Sequence, residues 1–97
     1  MKSSPSWNVT LASKRTEKSI LELPEHARLK LLALIKDLET KGVLQPTWPN
    51  YSSLGGGKHH CHLKRGKPTY VACWRMLDKK EKLIEVYYAG THEKAPY

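Results

Sequence analysis

One segment, residues 58–64 with the sequence KHHCHLK, holds three of the five histidines in the chain. If the segment is a strand, alternation directs Cys61 and Leu63 to one face of the sheet. The other face, which we expect to be open to solvent, then carries Lys58, His60, His62 and Lys64. Neighbouring positive charge disfavours a protonated imidazole, so these histidines should be neutral near pH 7, as a general base must be.

Two alternative roles for these histidines stay open. Histidines on an exposed strand are often only solvated or hydrogen-bonded. His60 and His62 are also spaced to chelate zinc from one strand face. Against a zinc site, no acidic or cysteine ligand recurs at zinc spacing, the adjacent lysines repel a cation, and structural zinc sites normally use four ligands. We therefore predict no metal and no cofactor.

A further histidine lies near the C-terminal end of the sequence. His92 follows the last predicted strand by a few residues, and in an antiparallel meander that position is within reach of the open face of the sheet. For this stretch taken alone, a polar histidine on a frayed tail is the simpler interpretation.

The elements that must position these residues follow from periodicity. Residues 7–11 alternate between apolar and other side chains, as in a strand. A short helix over 14–22 precedes a longer one over 24–41, which has apolar residues at helical spacing and Gly42 after its end. Residues 43–57, with two prolines and three consecutive glycines, are predicted to be a loop. Three strands joined by short polar turns complete the chain, over residues 58–64, 69–77 and 83–89.

This order predicts an α+β fold: a strand, two helices, and then an antiparallel meander of three strands. The broad apolar face of the second helix needs a large partner, so we expect the helices to pack on one face of an antiparallel sheet. A chain of 97 residues supports a single core, so residues 1–97 are predicted to be one domain. Residues 1–6 are polar and are predicted to be a loose tail.

Charge and cysteine usage limit the partners and the compartment. Lys and Arg number 17 against 9 Asp and Glu, and the net charge of +8 favours a polyanionic partner over mere solubility. Cys61 and Cys73 lie in apolar stretches without a CxxC pair, which indicates buried free thiols and a reducing compartment. No segment suits a signal peptide or a membrane span, so we expect a cytoplasmic protein without membrane contact.

Several fragments, taken in their order and spacing, resemble the RelE/ParE superfamily of toxins from type II toxin-antitoxin systems. They are Leu54-Gly55-Gly56, Cys61-His62-Leu63, Tyr70-Val71-Ala72-Cys73-Trp74 and Ala89-Gly90-Thr91-His92. The resemblance covers residues 7–97, and the Cys-His pair with the late Gly-Thr-His is similar to the YafQ branch. It implies a RelE-like fold and a metal-independent endoribonuclease that cuts mRNA on the ribosome and blocks translation. The products would be a 2′,3′-cyclic phosphate and a free 5′-hydroxyl.

The resemblance also implies roles for individual residues. His62 and His92 match the catalytic histidines of that branch and would supply base and acid, in either order, with His60 assisting. Tyr97 lies about where the family has an aromatic that stacks on or orients the substrate. RelE itself has lysines in place of His60 and His62, and arginines in place of Val71 and His92. Transition-state charge would therefore be met by other cations, for which the sequence offers Lys58, Lys64, Arg65 and Lys67.

Partners follow from the same resemblance, and two more functions stay open. A free toxin would be lethal, so a cognate antitoxin is expected in a toxin-antitoxin hetero-oligomer, besides the ribosome with its mRNA. The basic sheet and the apolar helix face are surfaces that an antitoxin could cover. The alternatives are a ParE-like inhibitor of DNA gyrase, which binds without needing the sheet histidines, and a non-catalytic nucleic-acid-binding module.

Overall fold

The computed structural model describes residues 6–97. The predicted loose tail therefore lies outside the described residues, apart from Ser6, whose backbone N–H donates to Glu39 O at 2.9 Å. The elements, in chain order, are β1 (Asn8–Leu11), α1 (Lys14–Leu21), α2 (Glu25–Lys41), β2 (Ser52–Gly55), β3 (Lys58–Lys64), β4 (Tyr70–Asp78), β5 (Leu83–Thr91) and a short 3₁₀ helix (His92–Lys94).

The strands form one five-stranded sheet in the order β1-β5-β4-β3-β2. β3, β4 and β5 make the predicted antiparallel meander. β1 pairs in parallel with β5, so the sheet is mixed and not purely antiparallel as expected. The α+β fold is confirmed, and each predicted helix and strand is present with ends that differ by two residues at most.

The prediction that residues 43–57 are entirely a loop is wrong, because Ser52–Gly55 forms the edge strand β2. Ser52 pairs with His60 of β3. The hairpin turns through Gly56 and Gly57, which have φ angles of 60° and 78° that glycine adopts without strain. The sequence SSLG does not alternate between apolar and polar residues, so periodicity does not reveal this strand.

Both helices pack on one face of the sheet, as predicted, with α1 against β5 and α2 against β3. Ser13 begins α1, because its Oγ accepts the Thr16 N–H at 3.2 Å. Among the described residues no helix is long and apolar enough to cross a membrane. The buried core between helices and sheet includes Leu23, Ala27, Leu31, Leu34, Leu38, Cys61, Leu63, Ala72, Trp74, Ile84, Val86 and Ala89.

The opposite face of the sheet carries the side chains that alternate with this core. His60 lies opposite Cys73 in the ladder between β3 and β4, and His62 lies opposite Val71. No helix longer than one turn follows β5 in the described chain to cover this face. The helices therefore leave this face open to the last residues of the chain, and Val71 and Cys73 on it are fully buried.

Candidate active site

Four aromatic rings meet on the open face of the sheet, and they are hereafter the ring cluster: His60, His62, His92 and Tyr97. The ring centroids of His62 and His92 are 5.6 Å apart, and those of His60 and Tyr97 are 4.7 Å apart. The ring centroids of His60 and His62 are 6.1 Å apart, and those of His92 and Tyr97 are 5.9 Å apart, so each ring has two neighbours in the cluster. The predicted convergence of imidazoles from an inner strand and from the C-terminal segment is confirmed.

The backbone at the end of β5 brings His92 to this position. Thr91 pairs with Tyr70 as the last step of the ladder, and the His92 N–H then donates to Thr69 O at 2.8 Å. The Tyr88 hydroxyl donates to Thr91 O at 2.7 Å, which holds the last residue of the strand. His92 thus begins an ordered turn and does not lie on a frayed tail.

His60 is largely buried, with 9% of its surface exposed, which corrects the expectation that both strand histidines are open to solvent. Its Nδ1 lies 3.0 Å from the Ser52 hydroxyl on the neighbouring strand β2, and the Tyr97 ring packs on it. Sequence reasoning missed Ser52 because it missed β2. The sequence pattern that identifies Ser52 is a serine that pairs with a histidine across a hairpin whose turn contains glycines.

His62 is half-buried at the centre of the ring cluster. Its Nδ1 is buried and has no hydrogen-bond partner within residues 6–97. Burial lowers the pKa of His62, and the nearby His60, His92 and Arg65 lower this pKa further by disfavouring a second positive charge. A lowered pKa favours the neutral imidazole that the sequence predicts for His62, with burial as the largest cause and the charges on which the prediction was based as smaller ones.

The four predicted phosphate-binding cations are all exposed, at different places along β3 and the β3–β4 loop. Arg65 is close enough to His62 to affect its pKa. Lys67 and His92 both line one hollow, formed by the β3–β4 loop and the 3₁₀ helix. Lys58 lies near the β5 side chain Tyr87, with its Nζ 5.8 Å from the ring centroid. Lys64 is exposed at the C-terminal end of β3.

The third histidine of the segment, His59, faces the helices. It is 6% exposed and stacks between Tyr51 and Trp74, with ring centroids 5.8 and 6.0 Å away. The Tyr51 hydroxyl lies 2.8 Å from His59 Nδ1, and burial lowers the pKa of His59. His59 is therefore a core residue, as alternation along β3 requires.

Both cysteines are buried free thiols, as predicted. Burial raises the pKa of Cys61 to about 12 and that of Cys73 to about 11. Because the thiolate is the nucleophilic form, neither residue is a nucleophile at neutral pH. In the part of the chain that the structure describes, no three His, Cys, Asp or Glu side chains are grouped to hold a metal ion.

Comparisons with known proteins bear on the fold. No family model matches the sequence, and no curated protein matches it significantly. A solved structure does match: archaeal RelE from Pyrococcus horikoshii OT3, crystallised as a RelE-RelB complex. The TM-score is 0.61 at 17% identity, over 93% of this chain and 99% of that chain. The chain has a RelE-like fold, as the resemblance of its sequence implied.

Proposed function

We propose that this RelE-like domain is the toxin of a type II toxin-antitoxin system and that it cleaves mRNA on the ribosome without a metal ion. The observation that carries the proposal is the pair His62 and His92, with ring centroids 5.6 Å apart on the sheet face that the helices leave open. Acid–base cleavage of RNA needs two such groups near positive charge, whereas a protein that acts by binding alone does not need them. The ribonuclease is therefore favoured over a gyrase inhibitor.

Cleavage of RNA by its own 2′-hydroxyl needs a base, an acid and positive charge near the phosphorane. His62 suits the base, because its lowered pKa keeps the imidazole neutral at neutral pH. It takes the 2′-hydroxyl proton as that oxygen attacks the adjacent phosphorus. The bond from phosphorus to the 5′-oxygen breaks, and His92 protonates the departing oxygen. The products are a 2′,3′-cyclic phosphate and a 5′-hydroxyl.

The remaining residues hold the substrate. Tyr97 is half-exposed and offers its ring to a nucleobase, while His60 supports that ring from below. Arg65 beside His62 and Lys67 beside His92 meet the oxygens of the reacting phosphate. The cations at the two ends of β3, Lys58 and Lys64, bind flanking phosphates.

An antitoxin is part of the proposal. The similar archaeal RelE was crystallised with RelB. On the helices of this chain, Leu21, Leu29 and Leu32 are 72%, 57% and 54% exposed. We propose that an antitoxin covers these leucines, the open sheet face, or both.

The test is expression of the chain from a tightly controlled promoter, followed by primer extension on cellular mRNA. We expect growth arrest and cuts inside translated frames. His62→Ala and His92→Ala should each reduce cleavage by about 10²- to 10⁴-fold. His26→Ala, which removes an exposed histidine of α2, is the matched control and should cut normally.

Each alternative has its own result in the same experiment. DNA damage without cuts in mRNA identifies a gyrase inhibitor, and unimpaired growth leaves only a nucleic-acid-binding module. Full cleavage by both single histidine variants refutes the assigned roles. Co-expression of the cognate antitoxin, sought in the adjacent reading frame, should restore growth.

A further inference from the structure

Residues 49–52 lead into β2 and run alongside the part of β3 that carries His60 and His62. Pro49 O accepts the backbone N–H of His62 at 2.8 Å, and Ser52 is the partner of His60 in the ladder between β2 and β3. The Ser52 hydroxyl lies 3.0 Å from His60 Nδ1, so this segment contacts the ring cluster through a side chain as well as through its backbone.

Two consecutive hydroxyl groups of this segment contact the Nδ1 atoms of two consecutive histidines. The Tyr51 hydroxyl lies 2.8 Å from His59 Nδ1 on the core side of the sheet, whereas the Ser52 hydroxyl contacts His60 on the other side. The Tyr51 ring is held in its stack with His59 and Trp74. Because adjacent residues of an extended segment point to opposite faces, this stack directs Ser52 toward His60.

The contact with Ser52 decides which nitrogen of His60 carries hydrogen. A neutral imidazole has one N–H, so a hydroxyl that donates to Nδ1 leaves the hydrogen on Nε2. Among residues 6–97, Ser52 makes the one hydrogen bond to this imidazole, and Nε2 is left for a ligand. Phosphate oxygens accept hydrogen bonds and do not donate them. A bare Nε2 would repel these oxygens, whereas an Nε2–H binds them.

We propose that Ser52 is a positioning residue of the cleavage site, whose hydroxyl donates to His60 Nδ1 and thereby makes His60 a neutral donor to an oxygen of the reacting phosphate. The inference rests on the proposed ribonuclease function. The His60 ring lies 4.7 Å from that of Tyr97 and 6.1 Å from that of His62, between the base platform and the proposed base. A neutral donor there binds phosphate without placing a positive charge beside His62, which must accept a proton.

The first test determines the tautomer from the nitrogen NMR chemical shifts of the histidine side chains in the purified chain at neutral pH. His60→Ala identifies the His60 signals by their loss. We expect the wild type to show His60 with hydrogen on Nε2 and a bare Nδ1. Ser52→Ala should give a mixture of the two tautomers, and Ser52→Thr, which keeps the hydroxyl, should restore the wild-type signals. Ser52 is exposed on an edge strand, so these variants should fold normally.

The second test measures mRNA cleavage by the same variants. Ser52→Ala should lower kcat/KM roughly two- to tenfold, as expected for the loss of one neutral hydrogen bond, and Ser52→Thr should recover most of the rate. In a His60→Ala background, Ser52→Ala should have no further effect, because the hydroxyl then has no imidazole to hold. The matched control is Ser53→Ala, which removes the exposed hydroxyl of the next residue on β2 and should change neither tautomer nor rate.

Three results would each overturn the inference. The first is a wild-type His60 with hydrogen on Nδ1, and the second is a tautomer that Ser52→Ala does not change. The third is an equal loss of cleavage by Ser52→Ala with and without His60, which would indicate a general effect on the strand. If the wild type cuts no mRNA, the ribonuclease is rejected together with the part of Ser52 in cleavage, while the NMR result still decides whether Ser52 sets the tautomer.

Discussion

At the residue scale, the proposed chemistry depends on an imidazole that stays neutral. Burial and nearby positive groups lower the pKa of His62 from the ordinary histidine value of 6.5. A histidine acts as a general base only in its neutral form, and a lowered pKa keeps that form populated at more acidic pH. We therefore expect kcat/KM for mRNA cleavage to fall on the acid side, with an apparent pKa below 6.5.

Removing one charge should shift the acid limb, the part of the pH profile in which kcat/KM falls toward low pH. Arg65 lowers the pKa of His62, so Arg65→Gln should raise that pKa and shift the acid limb of kcat/KM toward neutral pH. The rate will also fall if Arg65 holds phosphate, but the position of the limb is the informative quantity. Lys80→Gln removes the same charge from the exposed β4–β5 turn and should not move it. A limb that stays in place, or moves to lower pH, contradicts the assignment of His62 as base.

The sequence predicts the residues of the ring cluster better than it predicts the residues that contact and position them. Alternation along residues 58–64 separates His60 and His62 from the core, and this separation depends only on strand geometry. Ser52 carries no such pattern, because a lone serine in a polar stretch looks like any solvated residue. Its contact with His60 depends on which strands pair.

At the element scale, the end of β5 determines where His92 lies. Gly90 is close to Tyr88, because a Cβ added to it would lie 2.7 Å from Tyr88 Oη and 3.0 Å from Cζ. Gly90→Ala should therefore displace the Tyr88 ring and break its hydrogen bond to Thr91 O. Overpacking of this kind costs about 1–3 kcal/mol, measurable as a lower free energy of unfolding in urea.

A double-mutant cycle isolates this contact. In a Tyr88→Ala background, which lacks the ring, Gly90→Ala should cost much less than it does in the wild type. An equal cost in the two backgrounds would mean that the effect comes from the backbone and not from the clash. Cleavage by Gly90→Ala under stabilising conditions reports whether His92 moves with the strand end.

Elements differ in how far a local pattern specifies them. α2 and the meander were predictable because their apolar residues repeat at helical or strand spacing over many residues. β2 was not, because its four residues have no apolar face and depend on β3 for their pairing. The parallel pairing of β1 with β5 joins strands about seventy residues apart in the chain. It depends on the path of the two helices, which no local pattern specifies.

At the scale of the whole molecule, charge is the property that a polyanionic target meets first. The chain carries a net charge of +8, and the end of β3 with the β3–β4 loop contributes Lys64, Arg65 and Lys67. Of these, Arg65 lies near His62 and Lys67 shares a hollow with His92. Other lysines, Lys79 and Lys80 among them, lie in the turn between β4 and β5. Lys64 and Lys67 match Lys79 and Lys80 in type and exposure, so a comparison between these two pairs tests location and not charge alone.

Binding of RNA should therefore depend on salt in a way that identifies the surface. For a single strand, the slope of log K against log salt is about −0.7 per phosphate contact. The reference protein is His62→Ala, which should not cleave the single-stranded RNA oligonucleotide during the measurement. Relative to this reference, adding Lys64→Gln or Lys67→Gln should in each case make the slope shallower by about 0.7. Lys79→Gln and Lys80→Gln should leave it unchanged. The opposite result would move the RNA to the far end of the sheet, away from the ring cluster, and the cleavage mechanism could not then operate on it.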